Sequence, residues 1–286
     1  MAISLRHLKT LSVSAASGLI ILNEYFYVIA DDELSLLKFP VDLKEEADLI
    51  SIFDGELPSG PVARKKVKPD FEAVVKLSEV GPILVLPSGS KPNRTRGACL
   101  NGRKVTEVNF GNLYAEVLKT FPELNIEGAV VNANKFLLFQ RGNGKLNQNG
   151  IITLDTQVVL RELATGAITS EALLQSTEVK LGKINDVPLS FTDAAVESAD
   201  RIWFVAAAEA SEDTFSDGEF AGAVLGALNS SGEIIFKEQL RCDSKPEGLC
   251  LNLIERKFYV VTDSDNSEKK SELLMGHLPD LASQTT

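Results

Sequence analysis

The sequence of 286 residues predicts an all-β protein and, within that class, a β-propeller of five blades. Three observations predict this fold. The apolar residues alternate with a period of two, and helical periodicity is scarce. One unit recurs along the chain, in which a small or acidic residue begins a first strand and an apolar second strand follows about ten residues later. Each unit contains about four strand-like runs, as a propeller blade does.

The first strands of the five units begin at residues that lie 55, 55, 66 and 54 positions apart. These starter residues are Ser17, Glu72, Glu127, Asp193 and Glu247. The second strands, rich in β-branched and aromatic residues, are 26–29, 83–86, 136–139, 202–205 and 258–261. A repeat of this length along the whole chain indicates a radial array of similar sheets. We therefore expect a single domain over residues 1–286, with inner strands beginning near the five starters.

The last unit lacks one strand, because only the apolar run 272–278 follows its second strand before a polar tail. We expect the N-terminal segment 3–13 to supply the missing outer strand, which would close the ring and cover an open sheet edge. The longest interval leaves six blades as the alternative. Helical character is expected only within 159–174, and the run 113–120 is expected to be a strand of the second blade.

Composition excludes several classes of partner. A net charge of −11 argues against a nucleic-acid partner, whose phosphates require a basic face. No apolar stretch approaches the ~20 residues that span a bilayer. Residues 1–14 lack the continuous apolar core of a signal sequence. The three cysteines, Cys99, Cys242 and Cys250, have neither metal-binding nor paired spacing. We therefore expect a cytoplasmic protein in a reducing compartment.

The starter residues are the first candidate site. The innermost strand of each blade lines the axial channel, so four of the five starters would place carboxylates around a narrow axis. Such a ring requires a cation, a basic side chain or protonation to offset its charge. Two interpretations remain open. The carboxylates cap the inner strands by accepting backbone N–H bonds, or Glu127, Asp193 and Glu247 act as catalytic acid and base groups in a shared site.

A second ring of residues follows the second strands, at Asp31, Ser88, Arg141, Ala207 and Asp263. The second strand of each blade runs antiparallel to the first, so its end lies beside the beginning of the first strand. Both rings should therefore converge on one mouth. Oxygen-only ligation of Ca²⁺ is the metal chemistry that such an acidic mouth supports. The expected metal ligands are Asp31, Glu127, Asp193, Glu247 and Asp263.

Two loops at this mouth are basic, 87–97 and 139–144. Guanidinium groups bind carboxylate or phosphate through two parallel hydrogen bonds. These side chains either hold an anionic group of a ligand or pair with the acidic ring. The candidate ligand-binding residues are Ser88, Lys91, Arg94, Arg96 and Arg141.

Nucleophilic and zinc chemistry have little support in this sequence. Its two histidines, His7 and His277, should both lie in the closing blade, away from the channel. A Ser-His-Asp triad or a zinc site in the funnel is therefore not expected. The long acidic loop 209–219 is either a lid or a solvated insertion.

The motifs at 17–19, 29–33, 86–97, 126–128, 140–143, 191–195 and 247–249 together resemble a bacterial β-propeller family of unknown function. This resemblance covers nearly the whole chain and implies the fold without an activity. More distantly, the Glu-Gly starts resemble esterase-like phytase propellers and the gluconolactonase/regucalcin group. In that second group a Glu, an Asn and an Asp of the funnel bind a divalent cation. Glu127, Asp193 and Glu247 correspond to these ligands by phase, and the Asn has no counterpart.

These observations predict a charged central funnel that binds a small anionic or sugar-derived ligand. With Ca²⁺ as its cofactor, such a funnel would hydrolyse an ester, a lactone or a phosphoester. The alternative is a non-catalytic interaction module whose mouth docks a protein partner. The residue pattern leaves open whether the chain is an enzyme.

Overall fold

Five sheets of mostly antiparallel strands surround one axis in the computed structural model, which describes residues 2–210, 218–266 and 268–281. The inner strands of consecutive sheets pack against each other, and the fifth packs against the first, so the ring is closed. The predicted all-β, five-bladed propeller is confirmed, and the described residues form no sixth blade. Most of the acidic loop 209–219 lies outside the described residues.

The first three blades follow in chain order after two short strands, β1 (Ile3–Ser4) and β2 (Arg6–Thr10). Blade 1 contains β3 (Ala16–Leu22), β4 (Tyr25–Ala30), β5 (Ser35–Pro40) and β6 (Asp48–Ser51). Helix α1 (Pro61–Val67) leads to blade 2, formed by β7 (Phe71–Lys76), β8 (Ile83–Pro87), β9 (Arg96–Asn101) and β10 (Lys104–Asn109). Helix α2 (Gly111–Val117) leads to blade 3. That blade contains β11 (Ile126–Asn132), β12 (Lys135–Gln140), β13 (Gly150–Asp155), helix α3 (Thr156–Leu163), a 3-10 turn (Ser170–Ala172) and β14 (Leu173–Glu178).

The last two blades hold the closure of the ring. Blade 4 contains β15 (Lys183–Ile184), β16 (Val187–Ser198), β17 (Arg201–Ala210), β18 (Glu219–Leu228) and β19 (Ile234–Arg241), and β1 joins its outer edge. Blade 5 contains β20 (Lys245–Asn252), β21 (Lys257–Asp263) and β22 (Glu272–His277). Its fourth strand is β2, which pairs antiparallel with β22. The predicted closure by an N-terminal strand is therefore confirmed.

The helices differ in part from the prediction. The run 113–120 was expected to be a strand, but α2 covers most of it, because β9 and β10 already supply the outer strands of blade 2. Helix α2 buries Leu113, Tyr114 and Val117 on one face. Helix α3 begins at its cap Asp155, whose carboxylate accepts two backbone N–H bonds, and overlaps the window expected to be helical. Among the described helices, none is long and apolar enough to cross a membrane.

Each of the five blade interfaces has its own apolar core. The flat faces of neighbouring sheets supply these cores, as period-two alternation requires. Apolar side chains thus pack between blades, and polar side chains occupy the beginnings of the inner strands. Representative pairs across the interfaces are Phe26 and Tyr259, Ile29 and Val74, Leu86 and Leu138, Phe139 and Phe191, and Trp203 and Leu249.

Candidate functional site

A cavity of about 420 Å³ opens at one mouth of the axis, where inner strands begin and second strands end. We call this cavity the funnel. Both predicted rings contribute to it, so they converge on one mouth. Its described acidic lining residues are Asp31, Asp32, Glu33, Asp70, Glu72, Glu127, Glu247, Asp263 and Asp265. Its described basic lining residues are Arg64, Lys65, Lys68, Arg94, Arg141, Lys245 and Lys270.

A β-bulge near the start of each inner strand determines which side chain faces the axis. The ladder between the first and second strands skips one residue in every blade. An extra residue of this kind is left unpaired, and its side chain is redirected. In blade 4 the skipped residue is Thr192, one position before the predicted starter Asp193. The five bulge residues are Ser17, Glu72, Glu127, Thr192 and Glu247.

Asp193 lies beside the bulge and does not line the funnel. Its carboxylate accepts the backbone N–H of Ala194 at 2.7 Å and, across the blade interface, that of Leu249 at 2.7 Å. Burial raises the pKa of Asp193, and these two bonds oppose that rise. The capping interpretation therefore fits Asp193, whose position does not fit the catalytic and metal-binding roles expected of it.

The two hydroxyl residues at the bulge position connect neighbouring blades. Ser17 Oγ donates to the carbonyl of Phe71 at 2.5 Å, and Thr192 Oγ1 donates to the carbonyl of Pro246 at 2.7 Å. Each acceptor directly precedes the bulge residue of the next blade, so the same bond forms at two interfaces. The glutamates at this position instead present their carboxyl groups to the funnel.

A first charge cluster lies between blades 1 and 2. Lys68, directly after α1, places its ammonium against the Asp31 carboxylate and 3.1 Å from Asp70 Oδ1. The Arg94 guanidinium lies 2.6 Å from Asp70 Oδ2. Ser88 is fully buried and also donates to Asp70. Thus Ser88 and Arg94, both predicted to bind ligand, hold the Asp70 carboxylate.

A second charge cluster joins blades 3, 4 and 5. Arg141 Nη1 lies 3.0 Å from Glu127 Oε1 and 3.7 Å from Glu247 Oε1, and its Nη2 bonds Glu209 from the end of β17. Lys245 Nζ lies 2.9 Å from Glu247 Oε1 and 3.6 Å from Glu209 Oε2. All five side chains are buried, and buried charges persist when they are paired in this way.

Several polar atoms at the base of the funnel have no hydrogen-bond partner. They are Glu127 Oε2, Glu247 Oε2 and Arg141 Nε, all buried and all on residues that line the cavity. Within the described parts of the chain, the Glu72 carboxyl makes no hydrogen bond or ion pair either. A buried acceptor without a donor costs about 1–3 kcal/mol. The funnel therefore offers acceptor oxygens that a ligand could satisfy.

Burial and charge shift the titration of the funnel. Burial raises the pKa of Glu72, Glu127 and Glu247, and for Glu72 the neighbouring Glu127 carboxylate adds to the rise. Burial also raises the pKa of Asp31 to about 6 and that of Asp263 to about 7. These carboxyl groups therefore exchange protons closer to neutral pH than ordinary carboxyls do.

Three buried basic side chains of the funnel stay charged. Burial opposes the charge of Lys68, Arg141 and Lys245, but the carboxylates around each side chain outweigh burial and raise its pKa. Proton exchange near neutral pH is therefore expected at the carboxyl groups around these three side chains and not at the side chains themselves.

Three of the predicted ligand-binding residues, Ser88, Lys91 and Arg96, lie outside the funnel lining. Arg96 belongs to β9, the third strand of blade 2, where its Nε donates to the exposed Glu107 at 2.7 Å. Lys91 lies in the loop before β9 and is half-buried. The basic run 87–97 thus divides between the axis, where Arg94 pairs with Asp70, and the blade edge, where Arg96 pairs with Glu107.

Sequence reasoning missed Lys68, Asp70, Asn125 and Lys245, all of which line the funnel. Asp70, Asn125 and Lys245 each precede a bulge glutamate by two residues, so a repeat signal for them was present in the sequence. Asn125 Nδ2 donates to Glu127 Oε1 at 2.6 Å. Lys68 follows α1 in the link between blades 1 and 2. The positions four residues before the bulge residues of the other units hold no basic side chain, so Lys68 carries no repeat signal.

Comparison with known families connects this geometry to a group of sequences. Residues 12–278 match DUF6929, which is described as a family of unknown function. The chain belongs to the DUF6929 family. The match extends from before β3 to just after β22, so it includes every strand of the ring except β1 and β2. A comparison with curated proteins finds no match.

Solved structures share the fold with this DUF6929 chain. Glutaminyl cyclase from Myxococcus xanthus aligns with a TM-score of 0.53 and 7% identity, over 98% of this chain and 100% of that chain. A candidate glycoside hydrolase from Parabacteroides distasonis aligns with a TM-score of 0.55 and 12% identity, over 96% of this chain and 97% of that chain. At such identities the likeness shows the fold alone.

Proposed function

We propose that the funnel binds a small, hydroxyl-rich, sugar-derived ligand. The observation that carries this proposal is the pair of buried acceptor atoms Glu127 Oε2 and Glu247 Oε2, which line the cavity without a donor. Glu127 is 1% exposed and Glu247 is 4% exposed, so bulk water solvates neither carboxylate well. Each hydroxyl group of a sugar can donate one hydrogen bond to such an oxygen.

The charge balance favours a neutral ligand over an anionic one. Even with Glu72 protonated, the other eight acidic side chains of the described lining outnumber its seven basic side chains, and the protein carries a net charge of −11. The buried cations Lys68, Arg94, Arg141 and Lys245 already contact carboxylates of the chain. An anion would have to displace those contacts, whereas hydroxyl groups can use the vacant oxygens.

The same carboxyls are arranged for hydrolysis of an ester or lactone of such a ligand. Arg141 and Lys245 oppose the rise in pKa that burial causes at Glu127 and Glu247, and in its ionised form either carboxylate could take a proton from an attacking water. Glu72 has no ion-pair partner, and its raised pKa keeps a proton available for the leaving oxygen. In this proposal Glu72 is the general acid, and Glu127 or Glu247 is the general base.

A panel of neutral sugars, aldonolactones, sugar acids and sugar phosphates tests the proposal by thermal shift. We expect neutral sugar-derived compounds to raise the melting temperature, because ligands that bind only the folded state stabilise it. Glu127→Gln and Glu247→Gln should lose that shift. The exposed Glu107 provides the matched control, and Glu107→Gln should retain the shift.

Two outcomes would contradict the proposal. In the first, sugar phosphates alone raise the melting temperature. In the second, the whole panel has no effect, as expected if the mouth docks a protein instead. A compound that does bind is then tested for acid release in a pH-stat.

A further inference from the structure

The distant resemblance to cation-dependent propellers implies a divalent cation, but the corresponding carboxylates do not fit one. Glu127 is paired with Arg141, and Glu247 is paired with Lys245. Asp193 is occupied by two backbone N–H groups. Calcium takes six to eight oxygen ligands, which such paired carboxylates cannot supply together.

A different set of carboxylates has the spacing of a cation site. Asp31, Asp70 and Glu72 each offer one carboxylate oxygen, and these three oxygens lie within 4.8 Å of one another. A cation of the chain is already seated there. The ammonium of Lys68 contacts Asp31 and lies 3.1 Å from Asp70 Oδ1, and the Lys68 side chain is only 10% exposed.

The segment that carries Lys68 is held from both sides. The Lys68 backbone N–H donates to the carbonyl of Arg64 and ends α1. Arg64 donates to the carbonyl of Asp32 in blade 1, at 2.9 Å from its Nε. Arg94 of blade 2 donates to the carbonyl of Lys65 at 3.3 Å. These contacts fix the backbone from which the ammonium reaches the carboxylates.

We propose that Lys68 is a tethered cation that takes the place of a divalent metal ion in the funnel. The funnel then works without Ca²⁺, and loss of the Lys68 ammonium opens a divalent-cation site formed by Asp31, Asp70 and Glu72. This inference goes beyond the proposed ligand and does not depend on it. Its test uses metal ions alone.

The test compares the wild type with Lys68→Met in thermal-shift and calorimetric titrations with CaCl₂, MgCl₂ and MnCl₂. Samples at matched ionic strength in NaCl with EDTA provide the reference, because salt alone screens surface charges. We expect no specific shift for the wild type. Lys68→Met should melt lower in EDTA and gain several degrees at saturating metal, with one ion bound per chain.

Two further variants complete the design. The double variant Lys68→Met/Asp70→Asn should lose the metal response, since one ligand is gone. Lys119→Met should behave as the wild type, because Lys119 is an exposed partner of Glu116.

Each remaining outcome decides the proposal. A rise in the melting temperature of the wild type that is specific to divalent cations overturns the proposal, because a metal ion would then bind beside the Lys68 ammonium or displace it. Folded Lys68→Met without metal binding also overturns it. If Lys68→Met does not fold in EDTA, restoration by a divalent cation and not by NaCl supports the proposal, and failure of all three cations overturns it.

Discussion

Two kinds of residue occupy the same bulge position in different blades. Ser17 and Thr192 use it to bond the backbone of the next blade, whereas the three glutamates turn into the funnel. The bulge therefore requires an extra residue but not a particular side chain. Each blade interface also has its own apolar core. Closure of the ring thus does not explain the glutamates, whereas the ligand that we propose would explain them.

The largest loss of stability is expected from replacement of Arg141, whose guanidinium contacts two of the three bulge glutamates, Glu127 and Glu247. Arg141→Met leaves Glu127, Glu209 and Glu247 buried without their shared guanidinium. Breaking a buried ion pair from one side costs about 3–5 kcal/mol. Arg96→Met is the matched control, because its partner Glu107 is exposed and such pairs contribute about 0–1 kcal/mol. Urea unfolding measures the loss of stability in both variants. Similar small losses in Arg141→Met and Arg96→Met would show that the buried cluster contributes no more than exposed ion pairs do.

A smaller loss of stability is expected at a bulge residue that bonds the backbone of the next blade. Thr192→Val keeps the shape but leaves the Pro246 carbonyl without its donor, at a cost of about 1–3 kcal/mol. At the equivalent position of blade 2, Glu72→Gln should leave the free energy of unfolding unchanged or raise it, because it removes a half-buried carboxyl that has no hydrogen-bond or ion-pair partner among the described residues. Thr106→Val on β10 controls for the substitution itself. Equal losses of stability in Thr192→Val and Glu72→Gln would contradict the distinction between bulge residues that bond the next blade and bulge residues that face the funnel.

The last comparison is the pH dependence of stability in the funnel and at the blade edge. The pKa of Asp263 is raised from 3.8 to about 7 in the folded protein, so the folded state binds more protons than the unfolded state between those values. Its contribution to stability is therefore lost as pH rises through this window. Asp263→Asn should flatten the decline in stability between about pH 4 and pH 7.

The blade edge provides a control of opposite sign. The hydrogen bond from Arg96 lowers the pKa of Glu107. The contribution of Glu107 is thus present above its ordinary pKa of 4.5 and is lost as pH falls through the lowered value. Glu107→Gln should leave the decline at higher pH unchanged. Chemical unfolding across the pH range checks both variants, and a wild-type slope in Asp263→Asn would contradict the assignment.

The sequence predicted the fold well because its signals are local. Alternation, turn residues and the recurring starters each depend on a few neighbouring residues. The funnel residues Asp31, Glu127, Arg141, Glu247 and Asp263 were found by the same repeat, and all of them line the cavity.

The remaining errors have physical causes. The bulge moved the equivalent position in blade 4 from Asp193 to Thr192, and the sequence pattern does not show a bulge. Arg96 was placed at the mouth because the boundary between the loop and β9 is not visible in a basic, hydroxyl-rich run. Lys68 lies four residues before the bulge residue of blade 2, where the other blades have no basic residue, so no repeat could predict it.

Calorimetric titration of the best neutral compound from the panel tests the central claim most directly. The wild type should bind one molecule per chain. The double variant Glu127→Gln/Glu247→Gln should bind at least tenfold more weakly, since each lost bond to a charged group is worth about 1.5–3 kcal/mol. Unchanged affinity in the double variant, with Glu107→Gln as the reference, would show that the vacant oxygens of the funnel do not hold the ligand.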